Sequence, residues 1–293
     1  MILREGWVMK LFLLTKQSFT ELVRLAIAED LGTGDITTNA TIPPSLTGTG
    51  RFISKDTGII CGWPVVQEVF AQLSPSIKLE IFLADGAATK PGETLGVISG
   101  PVREILSGER VALNFIQHLS GIATRTHTMV SLISEYPTVR VVDTRKTIPG
   151  FRTLDKYAVR VGGGHNHRYN LTDAVLIKDN HIAAAGSLKK AVESARANIP
   201  HTMKIEVEVE SETQVLEALD AGVDILMLDN MKPEQMKSMV KLINKRALIE
   251  ASGNITEENI RKVAACGVDI ISAGILTHSV QALDISLRID LHK

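Results

Sequence analysis

From about residue 139 the chain alternates between short, mostly apolar runs and longer stretches that are apolar on one helical face. The runs cover residues 139–142, 174–177, 204–209, 224–228, 248–251 and 269–272. Helical spacing fills 187–197, 213–221, 233–244 and 257–265 between them. Strands that are apolar on both faces need cover on both, so the pattern predicts parallel βα units. Six such strands favour a β/α barrel over an open sheet, although periodicity alone is compatible with either.

Local signals agree with this division. Ser211 followed by Gln214 makes a capping box, Pro233 suits a first helical turn, and Gly222 and Gly267 suit helix ends. Residues 10–120 have another rhythm. An amphipathic helix spans 19–29, Gly34-Asp35-Ile36-Thr37-Thr38 reads as a loop, and 50–62 and 77–100 read as short strands between glycine-rich turns. A helix over 107–120 then leads into the barrel. The organisation expected is a first domain over 10–120, joined by a tail at 280–293, and a barrel over 121–279. Residues 1–9 read as an extension, because Met9-Lys10 offers an alternative start.

Composition narrows the class without naming a chemistry. The 293 residues are 44% hydrophobic and 22% charged, as in a water-soluble globular protein. Thirty-two Lys and Arg against 33 Asp and Glu leave a net charge of −1, so no global field attracts nucleic acid or an anionic membrane. Cys61 and Cys266 are far apart and form no CxxC, which argues against a disulfide framework and a thiolate zinc site. The apolar run from Leu11 to Leu14 is too short for a signal-peptide core, and no stretch is long enough to span a bilayer. A cytoplasmic location is expected.

The chemistry is expected at the strand ends. In a β/α barrel, side chains just past the C-terminal ends of the strands converge on one face. Here those positions hold Thr144, Arg145 and Lys146, then Lys178, Glu208, Asp229, Ser252-Gly253-Asn254, and Ala273-Gly274-Ile275. Two adjacent cations at the mouth of a buried strand are costly unless paired or bound to something. Small Ser/Gly turns after the last strands are where backbone N–H groups and helix N-termini hold phosphate. Glu208 and Asp229 read as solvated if Glu206 and Glu210, which alternate with Glu208, are a guide. Asp229, after four apolar residues, would be costly without a hydroxyl-rich or metal-bound ligand.

The loop Gly162-Gly163-Gly164-His165-Asn166-His167-Arg168 is neither a P-loop nor a dinucleotide fingerprint. His165, His167 and His181 offer metal-ligand atoms, but without a nearby Cys or HExxH helix substrate contact by His167 and Arg168 is the favoured reading. Arg110 lies near a helix start, where the dipole gives a cation nothing; a ligand or a salt bridge to Glu104 or Glu109 would explain it. The segment from Asp85-Gly86 through Lys90-Pro91-Gly92 to Gly100 faintly resembles a lipoyl- or biotin-carrier hairpin. Lys90 lacks the Met or Asp neighbour of a carrier lysine.

The motifs DTRKTIPG, KYAVRVGGGHNHR, LIKDNH, EVEVE, MLDN, EASGNIT and SAGILTHS, in that order, resemble those of the quinolinate phosphoribosyltransferases. The resemblance extends forward to AEDLGTGDITT and GERVALNFIQHLSGIAT, nearly the whole chain. It implies a type II phosphoribosyltransferase with an N-terminal α/β sandwich-like domain before an incomplete, seven-stranded α/β barrel. It also implies a homodimer, or a hexamer built from dimers, with active sites shared between subunits. The reaction implied joins quinolinate and phosphoribosyl pyrophosphate (PRPP) into nicotinate mononucleotide, CO2 and pyrophosphate with Mg²⁺, a step of NAD biosynthesis.

By the same resemblance, Arg110, Arg145, Lys146, His167, Arg168 and Lys178 face the dicarboxylate and phosphates. Glu208 and Asp229 face the ribose hydroxyls and Mg²⁺, directly or through water, and Lys146, Glu208 and Asp229 form the catalytic group. Ser252, Gly253 and Gly274 hold the 5′-phosphate. A basic residue from the neighbouring subunit, Lys55 or Arg51, completes the site. Two rivals remain: a paralogue acting on another ring acid, nicotinate-like or associated with molybdate transport, and a phosphosugar-binding barrel without turnover.

Overall fold

The computed structural model describes residues 14–290. The extension read at residues 1–9 lies outside them, as does the start of the apolar run at Leu11. Contacts divide the chain into two compact units. One comprises the described part of Met1–His127, Ile148–Gly163 and the described part of Ser279–Lys293. The other comprises Thr128–Thr147 and Gly164–His278.

The first unit is built on a four-stranded antiparallel sheet. Its strands are β1 (Thr47–Ser54), β3 (Lys78–Ile81), β5 (Thr94–Pro101) and β12 (Ile285–Asp290), in the order β12-β1-β5-β3. Two short strands, β2 (Gly58–Ile59) and β4 (Ala88–Thr89), pair separately. Helices α1 (Thr20–Leu31), α2 (Ile36–Thr41), α3 (Trp63–Leu73) and α5 (Arg152–Val161) accompany the sheets. Asp85 accepts the N–H groups of Gly62 and Trp63 where α3 begins, at 2.9 and 3.2 Å, and the hydroxyl of Tyr157 at 2.7 Å. The carrier-like segment is therefore divided between β4 and β5, with Lys90 exposed.

Two expectations in this unit are corrected. The residues read as a loop after Gly34 form α2, because Asp35 caps it by accepting the Thr38 amide at 2.9 Å. The helix expected over 107–120 is α4, Val102–Leu132, which starts earlier and runs on past residue 120. Small residues concealed its length. A Cβ on Gly121 would lie 2.2 Å from the Gln281 carbonyl oxygen, and one on Gly108 would lie 2.5 Å from Leu73. Close approach accounts for both glycines, despite a helix penalty of about 1 kcal/mol each.

The second unit carries the predicted strands: β6 (Arg140–Val142), β7 (Val175–Ile177), β8 (Ile205–Val209), β9 (Ile225–Asp229), β10 (Leu248–Ser252) and β11 (Ile270–Ser272). They form one parallel sheet in the order β6-β11-β10-β9-β8-β7. Helices α6 (Asp179–Ala185), α7 (Leu188–Asn198), α8 (Glu212–Asp220), α9 (Pro233–Ile243), α10 (Ile260–Ala264) and α11 (Ile275–His278) follow in turn. Among the described residues the sheet has six regular strands rather than seven. The seventh position, beyond β6, holds an isolated parallel bridge between His165 and Val142. This is an incomplete barrel.

Period-2 alternation decides what each strand presents. On β8, Ile205, Val207 and Val209 are fully buried; each valine contributes about 1.5–3 kcal/mol by leaving water. The intervening Glu206 and Glu208 share the other face. Strand starts are pinned by acids: Asp224 accepts the Ile205 amide at 2.8 Å, and Asp269 accepts that of Ile249 at 2.9 Å. At α8, Ser211 caps the Gln214 amide at 3.3 Å. The return bond from the Gln214 side chain goes to the Glu210 amide at 2.8 Å, one residue before the cap.

Candidate active site

The C-terminal ends of the parallel strands surround a cavity of about 730 Å³. Thr144, Arg145 and Lys146 line it after β6, Lys178 after β7, Glu208 from β8, Asp229 from β9, Ser252, Gly253 and Asn254 around the end of β10, and Gly274 and Ile275 after β11. His167 and Arg168 enter from the loop after the bridging strand position. A second cavity, of about 760 Å³ along β7, is largely apolar and lacks the strand-end carboxylates.

Cations and carboxylates meet directly here. Lys178 Nζ donates to Glu208, whose side chain is mostly buried. Glu208 is therefore ion-paired rather than solvated, which corrects the reading taken from its neighbours. Arg168 donates to the Ala174 carbonyl at 2.9 Å. Burial, and then the like charge of Arg145, bring its guanidinium below its ordinary pKa. Two guanidiniums close enough to repel each other make a site that gains from a bound dianion.

The turns after β10 and β11 leave no room for side chains. A Cβ on Gly253, at φ +95°, would meet Asn230 Oδ1 at 2.2 Å and the Asn230 backbone nitrogen at 2.9 Å. One on Gly274 would lie 2.9 Å from His278 and 3.0 Å from Lys146. A ligand can thus approach the backbone itself. Helix α10 begins only at Ile260, so the backbone of the turn, not a helix N-terminus, directly follows β10.

Below the rim lies a cluster that sequence reasoning missed. Glu206 and Glu250 are 4% and 2% exposed, and His167 Nε2 lies 3.4 Å from one and 3.5 Å from the other. Asp143, fully buried, accepts the His167 amide at 2.9 Å and the Asn166 side chain at 2.5 Å. Burial disfavours imidazolium, yet hydrogen bonds to Glu206 and Glu250 and their charges outweigh it and lift the His167 pKa to about 10. Burial likewise raises the Glu206 carboxyl, with the Glu250 charge adding to it.

The Arg168 amide donates to His167 Nδ1 at 2.8 Å, which turns Nε2 toward Glu206 and Glu250. The same amide weighs against a metal held by His167, Glu206 and Glu250, although their ligand atoms lie within 4.8 Å of one another. A ligating Nε2 would leave the proton on Nδ1, facing another N–H.

Other expected residues are placed by contacts within their own units. Ala273 is buried. Arg110 is exposed on α4 in the first unit, where its charge acts on Glu109 against the upward shift that burial causes. Arg51 pairs with Asp290 at 2.7 Å across β1 and β12, and Lys55 is exposed just beyond β1. His165 is drawn into the bridge to Val142, and His181 Nδ1 accepts the Lys178 amide at 2.9 Å in the cap of α6.

Residues 35–120 match the sequence profile of the quinolinate phosphoribosyl transferase N-terminal domain, and residues 122–288 match that of the C-terminal domain. The chain belongs to the quinolinate phosphoribosyl transferase family. A probable nicotinate-nucleotide pyrophosphorylase [carboxylating] of Bacillus subtilis is 44% identical over 263 residues, 90% of each chain. A chloroplastic nicotinate-nucleotide pyrophosphorylase [carboxylating] of Arabidopsis thaliana is 42% identical, over 92% of this chain and 82% of its own. The structure of NadC from Streptococcus pyogenes superposes with a TM-score of 0.92 at 42% identity, covering 96% of this chain and 99% of that one.

More distant likenesses establish the fold alone. A human nicotinic acid phosphoribosyltransferase superposes with a TM-score of 0.60 at 13% identity. In this member of the quinolinate phosphoribosyl transferase family, the cavity is lined additionally by Asn230, Glu250, Ser272 and His278. The signal for Glu250 was present in the sequence: it precedes Ser252 by two, so both point to one face of the strand. Glu206 bears the same relation to Glu208.

Proposed function

We propose that the protein transfers the phosphoribosyl group of PRPP to quinolinate with decarboxylation, giving nicotinate mononucleotide, CO2 and pyrophosphate for NAD biosynthesis. The observation that carries this reading is one cavity in which Arg145, Lys146, Arg168 and Lys178 stand with Glu208 and Asp229, in a chain of this family. Planar guanidiniums suit the two carboxylates of quinolinate. Four cations exceed what a monocarboxylate ring would call for, which weighs against a nicotinate-type paralogue. Carboxylates aimed at a sugar carbon weigh against a mere binder.

The chemistry follows from charge placement. The pyridine nitrogen forms a bond to C1′ as the bond from C1′ to the pyrophosphate oxygen breaks, so the sugar carbon becomes cationic in passing. Glu208 and Asp229 stabilise that charge, while Lys146 and Lys178 meet the polyanionic substrates. The ribosylated nitrogen, now positively charged, then stabilises the electron pair left on the adjacent ring carbon when its C–C bond to the carboxylate breaks and CO2 departs. A proton taken up at that ring carbon completes the product. Ser252, Gly253, Asn254 and Gly274 receive the 5′-phosphate through backbone amides.

Glu208 and Asp229 also fit Mg²⁺, a hard cation that takes one or two carboxylates and otherwise keeps water or phosphate oxygens. They are the oxygen donors at neighbouring strand ends of the same cavity. Such an ion, when bound, neutralises the charge of the departing pyrophosphate. We place the protein in the cytoplasm; among the described residues no helix is long and apolar enough to cross a membrane, and both cysteines are free and buried. We assign it a homodimer with shared sites, singly or as a hexamer of dimers. Lys55 is the favoured residue for the neighbouring site, since Arg51 is engaged by Asp290.

The direct test incubates purified protein with quinolinate, PRPP and Mg²⁺ and resolves the products by HPLC. Nicotinate mononucleotide should form from quinolinate and not from nicotinate. Product from nicotinate alone would transfer the assignment to the paralogous activity.

A further inference from the structure

Asn230 follows Asp229 directly and has φ 52°, a left-handed conformation uncommon outside glycine. Asn254, at the neighbouring strand end, also has φ 52°. The Asn230 amide donates to the Ser252 carbonyl at 3.0 Å, extending the pairing of β9 with β10 by one residue. Its side chain then bridges the two strand ends. Asn230 Nδ2 donates to Asp229 Oδ2 at 2.6 Å, and Asn230 Oδ1 accepts from Asn254 Nδ2 at 3.1 Å. Asn259 Nδ2 in turn donates to the Asn254 carbonyl at 2.8 Å.

The direction of this series is set by charge. A carboxylate only accepts, so the Asn230 nitrogen must face Asp229, its oxygen must face Asn254, and Asn254 must present nitrogen. The relay runs one way, from the turn after β10 to the carboxylate on β9. It also explains the glycine between them, because the space a Cβ on Gly253 would take is filled by the Asn230 amide.

We propose that Asn230 is a positioning residue for the phosphoribosyl transfer, acting through Asp229 and coupled to the phosphate-holding turn through Asn254. Asn230 commits Oδ2 of Asp229 and leaves Oδ1 to meet the ribose or its bound cation. An anion seated on the Ser252–Gly253–Asn254 turn fixes Asn254, which fixes Asn230, which fixes the carboxylate. Phosphate binding thereby sets the orientation of the group that stabilises the sugar cation. This inference rests on the role assigned to Asp229 above.

The test uses the full-length chain with Asn230→Gly, Asp229→Asn and the double variant, assayed for kcat and for KM of both substrates. Glycine tolerates the left-handed backbone, so Asn230→Gly should keep the wild-type melting temperature and the quinolinate KM. Its kcat should fall about tenfold or more, as expected for loss of a hydrogen bond to a charged group. In the Asp229→Asn background the same change should cost no further activity, because the relay then has no carboxylate to orient. Asn230→Asp, nearly identical in shape but acidic, should lower kcat at least as much and serves if the glycine variant folds poorly. A wild-type kcat in the Asn230 variants, or losses that multiply in the double variant, would overturn the relay while leaving the reading of Asp229 intact. A wild-type rate for Asp229→Asn would remove the assigned role of Asp229 and the relay with it.

Discussion

The Arg168 amide donates to Nδ1 of His167 at 2.8 Å, so the residue that brings a guanidinium to the cavity also fixes the ring beside it. With Nε2 directed at Glu206 and Glu250, both ring nitrogens have partners within the protein. His167 therefore anchors the loop that carries Arg168.

The buried trio gives stability a pH dependence of defined sign. His167 holds its proton up to about pH 10 in the folded protein, whereas a histidine in the unfolded chain releases it near its ordinary value of 6.5. The contribution is complete below about pH 6.5 and is lost as pH rises through about 10. The melting temperature should decline across that window, and less steeply in Glu250→Gln, which removes one of the charges raising the pKa. Identical slopes for the two proteins would show that the trio does not titrate there.

Lys146→Ala and Arg168→Ala should each weaken quinolinate binding while leaving the fold intact. Each loses a charge-assisted contact of roughly 1.5–3 kcal/mol, equivalent to about tenfold to over a hundredfold in affinity. Titration calorimetry reads this directly; wild-type affinity in both variants would remove quinolinate from this part of the cavity.

Glu208→Gln and Asp229→Asn keep shape and remove one charge each. Turnover at saturating PRPP and Mg²⁺ should fall on the order of a hundredfold or more, as for loss of a transition-state electrostatic contact. Quinolinate binding should persist, since Glu208→Gln also releases Lys178 from its ion pair. Wild-type turnover in both variants would assign the sugar chemistry to other residues.

A site shared between subunits predicts complementation. Glu208→Ala subunits mixed with Lys55→Ala subunits should recover partial activity in hybrid dimers, although each variant alone is impaired. If subunit exchange is confirmed and activity stays flat, each site is built from one chain.

Most of the barrel was legible because its signals are local. Six apolar runs marked six strands to within about two residues, and the polar residue ending each run marked the rim. Convergence of those rims brought Arg145, Lys146, Lys178, Glu208, Asp229, Ser252 and Gly274 into one lining. What escaped was long-range or hidden by composition. Glu206 and Glu250 sit inside strands, where a charge reads as exposed until the burial of its partner His167 is known. Asn230 was passed over because a left-handed backbone has no single-residue signature. The full length of α4 was masked by glycines, serines and threonines that serve close packing, such as Ser120, which bonds the Cys61 amide at 2.9 Å.

The pairing of β1 with β12 has a consequence for how the molecule is made. Every strand of the parallel sheet has been synthesised by Ser272, but the antiparallel sheet lacks an edge until Ile285–Asp290 emerges. At about 5–20 residues per second, β1 waits many seconds with one side unsatisfied. During that interval Thr47–Ser54 is an open template for strands of other nascent chains. Removing the residues after His278 would leave the whole cavity lining encoded, yet make that transient exposure permanent. Such a protein should be lost to aggregation before its chemistry can be measured.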